Sequence, residues 1–355
     1  MHDFAPMARF GGLIATGLRD VTSDPAALDS TGWWAVTADF EGSVVCARFT
    51  DVRPATAADA PAPDGWCGPA PTAWTSSLDR DAYTAGVRRV REHIAAGDVY
   101  QVNLCRVLTA PLPDPARADV DALSAVLARG NPAPYAGTIR LPDHGVEIAS
   151  ASPELYLRRD DRTVSSGPIK GTGRTAADLS EKDRAENVMI VDLVRNDLGR
   201  VCATGTVTVP ALCAVEEHPG LVHLVSTVSG ELDGANEKTA WADLLAATFP
   251  PGSITGAPKS SALRIIDELE TAPRGPYCGG IGWVDADRRT GELAVGIRTF
   301  WLDRTPPGGP VLRFGAGAGI IWDSDPEREW AETELKAGRL LAVASGLHEV
   351  SGGKR

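Results

Sequence analysis

No run of apolar residues in the chain reaches the ~18 that a membrane-spanning helix requires. Residues 1–12 also lack the basic segment and following apolar segment that mark a secretory signal. Together these absences predict a cytoplasmic protein with no membrane partner.

Cysteine is sparse, and positive charge is in the minority. The six cysteines show neither CxxC nor Cys/His ligand spacing, which argues against a zinc site or a disulfide framework and favours buried thiols. The 47 Asp and Glu residues outnumber the 35 Lys and Arg residues and give a net charge of −12. The chain therefore lacks the broad basic face that nucleic-acid binding needs, and any functional cation must act locally.

The composition is otherwise that of a globular protein with a large core, since 43% of the 355 residues are hydrophobic. Residues 53–74 are rich in Ala and Pro and are typical of a connector. This pattern predicts a small N-terminal lobe with its connector at 1–75 and a main domain at 76–350.

Hydrophobic periodicity predicts both helices and strands, and the strands occur in adjacent pairs, which favours an α+β fold on antiparallel sheets. Ser77 is the expected N-cap of the first helix, and Gly97 is its expected stop. Helical periods occur at 76–97, 119–129, 179–198, 238–248, 259–270 and 326–345. Strand-like runs occur at 33–36, 44–49, 99–105, 135–141, 146–149, 155–159, 221–229, 279–284, 294–301 and 310–314.

Polar side chains alternate with apolar ones along the predicted strand at 99–105. Alternation puts Tyr100, Val102 and Leu104 on one face and Gln101 and Asn103 on the other. Two amides opposite an apolar face predict contact either with solvent or with a polar cavity.

Two predicted helices carry carboxylates one turn apart: Asp183 with Glu186, and Glu329 with Glu332 and then Lys336. If these helices meet, four carboxylates converge, and ligation by oxygen alone is the chemistry of Mg²⁺ rather than zinc. Two solvated helix faces paired with Lys and Arg would show the same spacing.

A second constellation combines Glu154, in Ser-Pro-Glu before a strand, with Lys170 in Pro-Ile-Lys-Gly-Thr. A lysine fixed among other cations can have its pKa lowered to roughly 7–8, which leaves a nucleophilic amine. A lysine in a surface turn is the alternative interpretation.

Glycine-rich segments and a few basic groups complete the candidates. The run from Gly315 to Gly319 departs from GxGxxG at the next residue, and residues 252–260 lack the spacing of a phosphate loop, so both nucleotide motifs are rejected. Both segments still offer backbone N–H groups to an anion. Arg298, Lys336 and His223 supply too few cations for a polymer and suit a small polyanion, although a lone histidine is often a core residue.

Several segments occur in a fixed order along residues 80–345: GDVYQVNL, SPELYL, PIKGT, EKDRAENVMIVDLVRNDLGR, VHLVSTVSG, PPGSITGAPK, RGPYCGGIGW, AVGIRTF, GAGAGII and DSDPEREWAETELK. Together they resemble the chorismate-utilising enzymes, which include the component I chains of anthranilate and aminodeoxychorismate synthases and the isochorismate and salicylate synthases. The resemblance implies two antiparallel sheets packed as a sandwich with surrounding helices and a chorismate site in the cleft.

The resemblance also implies roles for individual residues. Mg²⁺ is expected on Glu186 and Glu332 directly and on Asp183 and Glu329 through water. Glu154 matches the acid that protonates the departing 4-hydroxyl of chorismate, and His223 matches a histidine under the ring. The residues expected to bind substrate are Arg298, Tyr277, Gly317, Gly319, Lys336, Thr172 and Ser253.

Two positions distinguish the members of the family. Isochorismate and salicylate synthases carry a lysine where this chain has Gln101, and glutamine cannot act as a base, so hydroxylation is disfavoured. Anthranilate synthases carry alanine where Lys170 stands, and lysine there marks amination to 4-amino-4-deoxychorismate, the precursor of 4-aminobenzoate and folate. The family's scheme has this lysine attack C2 and ammonia then attack C4.

No segment resembles a glutaminase nucleophile motif, so ammonia is expected from a glutamine amidotransferase partner chain. Two alternatives stay open. Ammonia could attack C2 directly, as in an anthranilate or 2-amino-2-deoxyisochorismate synthase, or the chain could be an inactive chorismate-binding subunit.

Overall fold

The computed structural model of the chain describes residues 4–61, 65–173, 175–218, 221–234 and 240–347. Within these ranges lie the helices α1 (Arg80–Ala96), α2 (Val120–Gly130), α3 (Glu181–Leu198), α4 (Ala240–Thr248), α5 (Lys259–Leu269) and α6 (Pro326–Ala344). Each of them lies where hydrophobic periodicity predicts a helix.

The strands of the described ranges all pair antiparallel with their neighbours. They are β1 (Met7–Phe10), β2 (Leu13–Thr22), β3 (Trp33–Ala38), β4 (Val44–Pro54), β5 (Thr75–Ser76), β6 (Gln101–Pro111), β7 (Tyr135–Leu141), β8 (Val146–Ser152), β9 (Leu155–Asp160), β10 (Thr163–Gly167), β11 (Ile169–Gly173), β12 (Thr208–His218), β13 (Leu221–Glu231), β14 (Gly256–Ala257), β15 (Gly280–Asp285), β16 (Thr290–Val295), β17 (Thr299–Asp303) and β18 (Val311–Ile320).

Strand pairing forms one continuous ribbon with two halves. The first half runs β6, β18, β17, β8, β7 and β1, and the second runs β2, β4, β3, β15, β16, β9, β10, β13 and β12. Side chains of both halves meet in one core, where Val107 and Ile148 of the first half join Trp34 and Ile281 of the second. The predicted α+β fold on antiparallel sheets is confirmed, and the β1–β2 pair joins the two halves through hydrogen bonds.

Helices cover the outer surfaces of the ribbon because each buries an apolar stripe there. The stripes of α2 and α6 pack against Phe300 and Phe314 of the first half, and those of α1 and α5 pack against Val102 and Leu104. On the second half, α3 lies against β13, and Val194 of α3 joins the main core. This arrangement sets α3 and α6 on different halves of the ribbon.

The start of α1 differs from the prediction. Asp79, not Ser77, is the N-cap, and its side chain accepts a hydrogen bond from the Ala82 N–H. Ser77 extends the pairing of β5 with β6 instead, because its N–H donates to the carbonyl of Val107 and its hydroxyl accepts from the Val107 N–H. Gly97 ends the helix at φ 81° as expected, since only glycine adopts that conformation at no steric cost.

Two predicted strands have different bounds. The strand predicted at 294–301 is divided into β16 and β17 because Arg298 between them has φ 52°, a left-handed conformation. The strand predicted at 310–314 continues as β18 to Ile320, so the glycine run is part of a strand rather than the segment that follows it.

Surface positions supply two further corrections. Tyr100 precedes β6 and is 73% exposed, so it does not share the buried face of Val102 and Leu104. Cys67 is exposed and Cys213 is half-buried, whereas the other four cysteines are buried thiols as expected; all six are free.

Candidate active site

Gln101, the first residue of β6, lies at the centre of the predicted site. It is fully buried, and neither atom of its side-chain amide has a hydrogen-bond partner among the described residues. A Cβ placed on Gly319 would lie 2.5 Å from Gln101 Nε2 and 3.8 Å from Lys170 Nζ. The amide therefore shares a small polar space with Lys170, and a ligand's polar group there would relieve the cost of burying it unpaired.

Lys170 of β11 and Glu154, which lies between β8 and β9, interact across Ser253. Lys170 Nζ donates a hydrogen bond to the Ser253 carbonyl at 3.1 Å, and the Ser253 hydroxyl hydrogen-bonds Glu154. Burial raises the pKa of Glu154 to about 7, against the opposing effects of the Ser253 hydroxyl, the Lys170 charge and the Ile169 N–H. A carboxyl group with this pKa holds its proton in a large share of molecules at neutral pH, as a general acid must.

The glycine run of β18 presents backbone groups to the same region. Lys336 Nζ donates to the Gly317 carbonyl at 3.0 Å, so that carbonyl points away from β6. In an antiparallel ladder the N–H and C=O of one residue point the same way, and the direction repeats every second residue. The N–H groups of Gly317 and Gly319 therefore share one edge of β18, beyond Phe314, where the pairing with β17 ends.

Arg298 and Tyr277 lie near the glycine run: Arg298 directly precedes β17, whose pairing with β18 ends at Phe314, and Tyr277 lies over the face of β18 at Gly315. Burial, followed by the charge of Arg339 on α6, lowers the pKa of the Arg298 guanidinium, so an anion placed between these two arginines would relieve their repulsion. The ring of Tyr277 covers Gly315, where a Cβ would lie 2.0 Å from Tyr277 Cγ. Burial raises the pKa of Tyr277, which keeps its phenol protonated as a donor.

His223 is buried in β13, where its backbone pairs with Thr172 of β11 and Glu216 of β12. This register puts the histidine one strand away from the Lys170 segment. The predicted role of Thr172 rests on its side chain, which lies outside the described part of the structure.

The carboxylates of α3 and α6 have local partners. Asp183 Oδ2 accepts hydrogen bonds from the Ser180 N–H at 2.8 Å and the Ser180 hydroxyl at 2.7 Å, which closes a capping box. Lys182 Nζ lies 3.7 Å from Glu186 Oε1. On α6, Lys336 Nζ lies 2.6 Å from Glu332 Oε1.

Glu329 connects the two helices electrostatically. It is 5% exposed, and Ser324 Oγ donates to it at 2.6 Å. Burial raises its pKa and Glu332 raises it further, while Ser324, Lys182 and Lys336 lower it. Because Lys182 belongs to α3, the start of α3 lies near Glu329 of α6.

Among the described residues, no three His, Cys, Asp or Glu side chains come close enough together to hold a metal ion. The donor chemistry nevertheless fits Mg²⁺, because the available groups are carboxylates and Glu329 is buried beside a second carboxylate. The carboxylates of Glu186 and Glu332 pair with Lys182 and Lys336, whose side chains are exposed at 48% and 51%.

The sequence patterns did not predict that a buried arginine, Arg274, supports the candidate site. Arg274 is 1% exposed and forms an ion pair with Glu270 at 2.6 Å. It also donates to the carbonyls of Asn103 at 2.7 Å and Ile254 at 3.0 Å. It thereby ties β6 to the segment that carries Ser253, and the i,i+4 spacing of Glu270 and Arg274 was the available signal.

Comparison with known proteins identifies the family of the chain. The profile of the chorismate binding enzyme family matches residues 36–342. The chain belongs to this family of chorismate-binding enzymes.

Curated relatives carry two different names. Aminodeoxychorismate synthase component 1 of Salmonella typhimurium is 37% identical over 348 residues, covering 94% of this chain and 73% of the relative. Anthranilate synthase component 1 of Saccharolobus solfataricus is 40% identical over 287 residues, covering 77% and 64%, and that of Streptomyces coelicolor is 42% identical over 282 residues, covering 76% and 52%. The chain thus spans about half to two thirds of the length of most of the curated relatives it matches.

Solved structures show the same fold. Anthranilate synthase component I from Streptococcus pneumoniae superposes with a TM-score of 0.70 at 25% identity, covering 96% of this chain and 81% of that one. The menaquinone-specific isochorismate synthase of Escherichia coli gives a TM-score of 0.76 at 19% identity, covering 97% and 89%. Within the described ranges, no helix combines the length and the hydropathy that crossing a bilayer demands.

Proposed function

We propose that the protein is an aminodeoxychorismate synthase component I, which converts chorismate and ammonia to 4-amino-4-deoxychorismate. The observation that carries this proposal is the Lys170 amine, held beside Ser253 and within electrostatic reach of a buried glutamate whose pKa is about 7. A nucleophile and an acid that share one small space are what displacement of a hydroxyl group needs.

The chemistry of the two residues is complementary. A proton that moves from the Lys170 ammonium to Glu154 leaves a neutral amine and a neutral acid, so one proton serves both groups. The amine attacks C2 as the 4-hydroxyl leaves C4, and Glu154 gives that hydroxyl its proton. Ammonia then bonds to C4, the C2–N bond to Lys170 breaks, and the proton lost by ammonia returns to Glu154.

The remaining residues bind and orient the substrate in this proposal. Arg298, Tyr277 and the N–H groups of Gly317 and Gly319 bind the enolpyruvyl carboxylate, and Lys336 binds near the ring carboxylate. His223 is proposed to lie under the ring, and Ser253 and Thr172 are proposed to bind the substrate. Gln101 would supply its side-chain amide to a substrate hydroxyl.

Magnesium would be held by Glu186 and Glu332, with Asp183 and Glu329 contributing through water. When bound, the ion would neutralise the ring carboxylate and draw electron density from the ring. Until then, the carboxylates of Glu186 and Glu332 are balanced by Lys182 and Lys336 on their own helices.

The ammonia is proposed to come from a glutamine amidotransferase partner. The names of the relatives support this, since both kinds are numbered as a component 1. The product 4-amino-4-deoxychorismate would then serve 4-aminobenzoate and folate formation in the cytoplasm.

A product assay tests the proposal and its alternative together. Purified protein is incubated with chorismate, Mg²⁺ and ammonium salt, with and without the lyase that converts 4-amino-4-deoxychorismate to 4-aminobenzoate. We expect 4-aminobenzoate only with the lyase, and no product from Lys170→Ala. Anthranilate fluorescence without the lyase would instead support an anthranilate synthase, a name that relatives at 40–42% identity carry alongside the aminodeoxychorismate synthases at 40%. Absence of any product would support a chorismate-binding subunit without activity.

A further inference from the structure

A small cavity adjoins Glu154 inside the protein. Its volume is about 20 Å³, counted as the space open to the centre of a water molecule. A buried water needs roughly 10–15 Å³ by this measure and two to four polar partners. The lining residues with polar side chains are Glu154, Tyr156, Ser166, Asp197, Thr248 and Ser253, and the Tyr156 and Thr248 hydroxyls hydrogen-bond each other at 2.6 Å. The cavity therefore has both the size and the polar groups to hold water.

Asp197 connects this cavity to the surface. Its side chain is 8% exposed, and Asp197 Oδ2 lies 2.7 Å from Lys259 Nζ of α5. Lys259 Nζ also donates to the Thr248 carbonyl at 2.9 Å, which fixes its position beside the cavity wall. The Lys259 side chain is 21% exposed and so reaches solvent.

We propose that the cavity holds ordered water that links the Glu154 carboxyl group to the Asp197–Lys259 pair, and that Asp197 is a positioning residue for the Glu154 proton. The inference rests on the proposed function, in which Glu154 is the acid. It adds a route between that acid and solvent that uses neither the substrate nor the carboxylates of α6.

The proposed proton route replaces from solvent every proton that it delivers to Glu154. Glu154 is 4% exposed, so its exchange with solvent needs internal carriers. A proton passes from the Lys259 ammonium to Asp197, from Asp197 to the water and from the water to Glu154, and Lys259 takes a new proton from solvent. Only O–H and N–H bonds form and break, and no other reactant is involved.

The charges around Glu154 determine how the cavity controls it. Among the described residues, Lys170 from β11 supplies the charge that acts on Glu154 directly. Asp197 from α3 lines the same cavity with its partner Lys259 from α5, and Arg200 also acts on Asp197. Tyr156 from β9 lines the cavity too, and burial raises the pKa of its phenol, which stays neutral. Removing the negative charge of Asp197 leaves the positive charge of Lys259 without its partner, which favours the Glu154 carboxylate and lowers the pKa of Glu154. Filling the cavity with an apolar side chain removes the water, which favours the protonated acid. The two changes therefore act on Glu154 in opposite directions.

The experiment measures the pH dependence of kcat for Asp197→Asn and Ser166→Val in the full-length protein. Loss of activity at high pH reports ionisation of Glu154. We expect its midpoint to fall by roughly one pH unit in Asp197→Asn and to rise in Ser166→Val, with the KM for chorismate unchanged in both. Ser165→Val is the matched control, because Ser165 is the neighbouring residue of β10 and is not part of the cavity lining.

A crystal structure of the wild-type protein provides the second measurement. Ordered water within hydrogen-bond distance of Glu154 and Asp197 supports the inference, and a dry cavity overturns it. Unmoved midpoints in the variants, or equal shifts in Ser165→Val, also overturn it. A wild-type protein that makes anthranilate instead refutes the proposed function alone, because the water is observed without reference to the product.

Discussion

At the scale of single residues, the proposed function makes Glu154 the group that sets the pH range of the reaction. Its raised pKa of about 7 means that the acid form predominates below that pH and is lost above it. We expect kcat to fall as the pH rises through about 7, measured with the concentration of free ammonia held constant, because ammonium itself deprotonates in alkaline solution.

Replacing this acid removes that pH dependence. Glu154→Gln keeps the size of the side chain but cannot deliver a proton, so we expect a loss of about 10²–10⁴-fold in kcat and a flat alkaline limb. A variant that keeps the wild-type limb would show that another group titrates.

Gly319 is the residue that leaves room for the polar space between Gln101 and Lys170. In Gly319→Ala the new Cβ would lie 2.5 Å from Gln101 Nε2, so the amide must move. We expect the rate of amination to fall by about tenfold or more, since small displacements of positioned groups are costly in catalysis. Steady-state kinetics measure this effect.

The control is Gly338→Ala on α6, where a Cβ would meet nothing within 4 Å. This variant should keep wild-type kinetics and gain slightly in stability, because alanine favours a helix over glycine. Equal kinetics for the two alanine variants would contradict the positioning role of Gly319.

At the scale of elements, the start of α3 orients the predicted metal ligands. Ser180→Ala removes both the N-cap oxygen and the hydroxyl that Asp183 accepts from, and it should cost about 1 kcal/mol in the free energy of unfolding. Fraying of the first turn would loosen Asp183 and Glu186, so we expect the Mg²⁺ concentration for half-maximal activity to rise several-fold.

Thr56→Ala provides the matched control. Thr56 and Asp59 form the same kind of capping box in the predicted N-terminal lobe. Its loss should leave the Mg²⁺ dependence unchanged. A rise of the same size in both variants would assign the effect to general destabilisation.

The helices could be predicted from sequence because each buries a stripe with a strong 3.6-residue period, as Tyr83, Val87 and Val90 do in α1. The glycine run of β18 could not be predicted as a strand, because its glycines make room for residues that are distant in sequence. Tyr277 lies over Gly315, and a Cβ on Gly317 would lie 2.5 Å from Cys105 Sγ. The turn at Arg298 was missed for a similar reason. No local sequence pattern predicts that Arg298 adopts a left-handed conformation, in which its carbonyl accepts a hydrogen bond from the Ala151 N–H.

The candidate site shows the same limit. The nearness of Glu154, Lys170 and Ser253 depends on strand pairing between segments far apart in the chain, so residue spacing alone left a surface lysine as an open interpretation. The family resemblance predicted the site residues, and the geometry adds what the resemblance lacks, namely the buried Glu154 and the Gln101 amide, which has no hydrogen-bond partner among the described residues.

At the scale of the whole molecule, the residues of the predicted N-terminal lobe pair with the strands of the main domain in one ribbon. β3 pairs with β15, and Trp33 stacks on Trp283 with ring centroids 6.2 Å apart and planes 7° from parallel. The connector is also anchored, since Trp66 Nε1 donates to the Ala344 carbonyl at 2.7 Å. The division at residues 75 and 76 stays a prediction, which unfolding experiments can address.

Arg274 joins the two predicted parts and gives the sharpest such experiment. Its guanidinium lies 4.1 Å from the Phe40 ring centroid in the lobe and forms a buried ion pair with Glu270 in the main domain. Arg274→Met leaves the Glu270 carboxylate buried without its partner, which should cost about 3–5 kcal/mol in the free energy of unfolding. Urea denaturation followed by tryptophan fluorescence and circular dichroism measures that loss.

Arg80→Met is the control, because the Arg80–Glu327 pair is exposed and its loss should change stability by at most about 1 kcal/mol. Coincident transitions in both probes would mean that lobe and main domain unfold as one unit, whereas separate transitions, or equal losses in the two variants, would mean that Arg274 does not couple them.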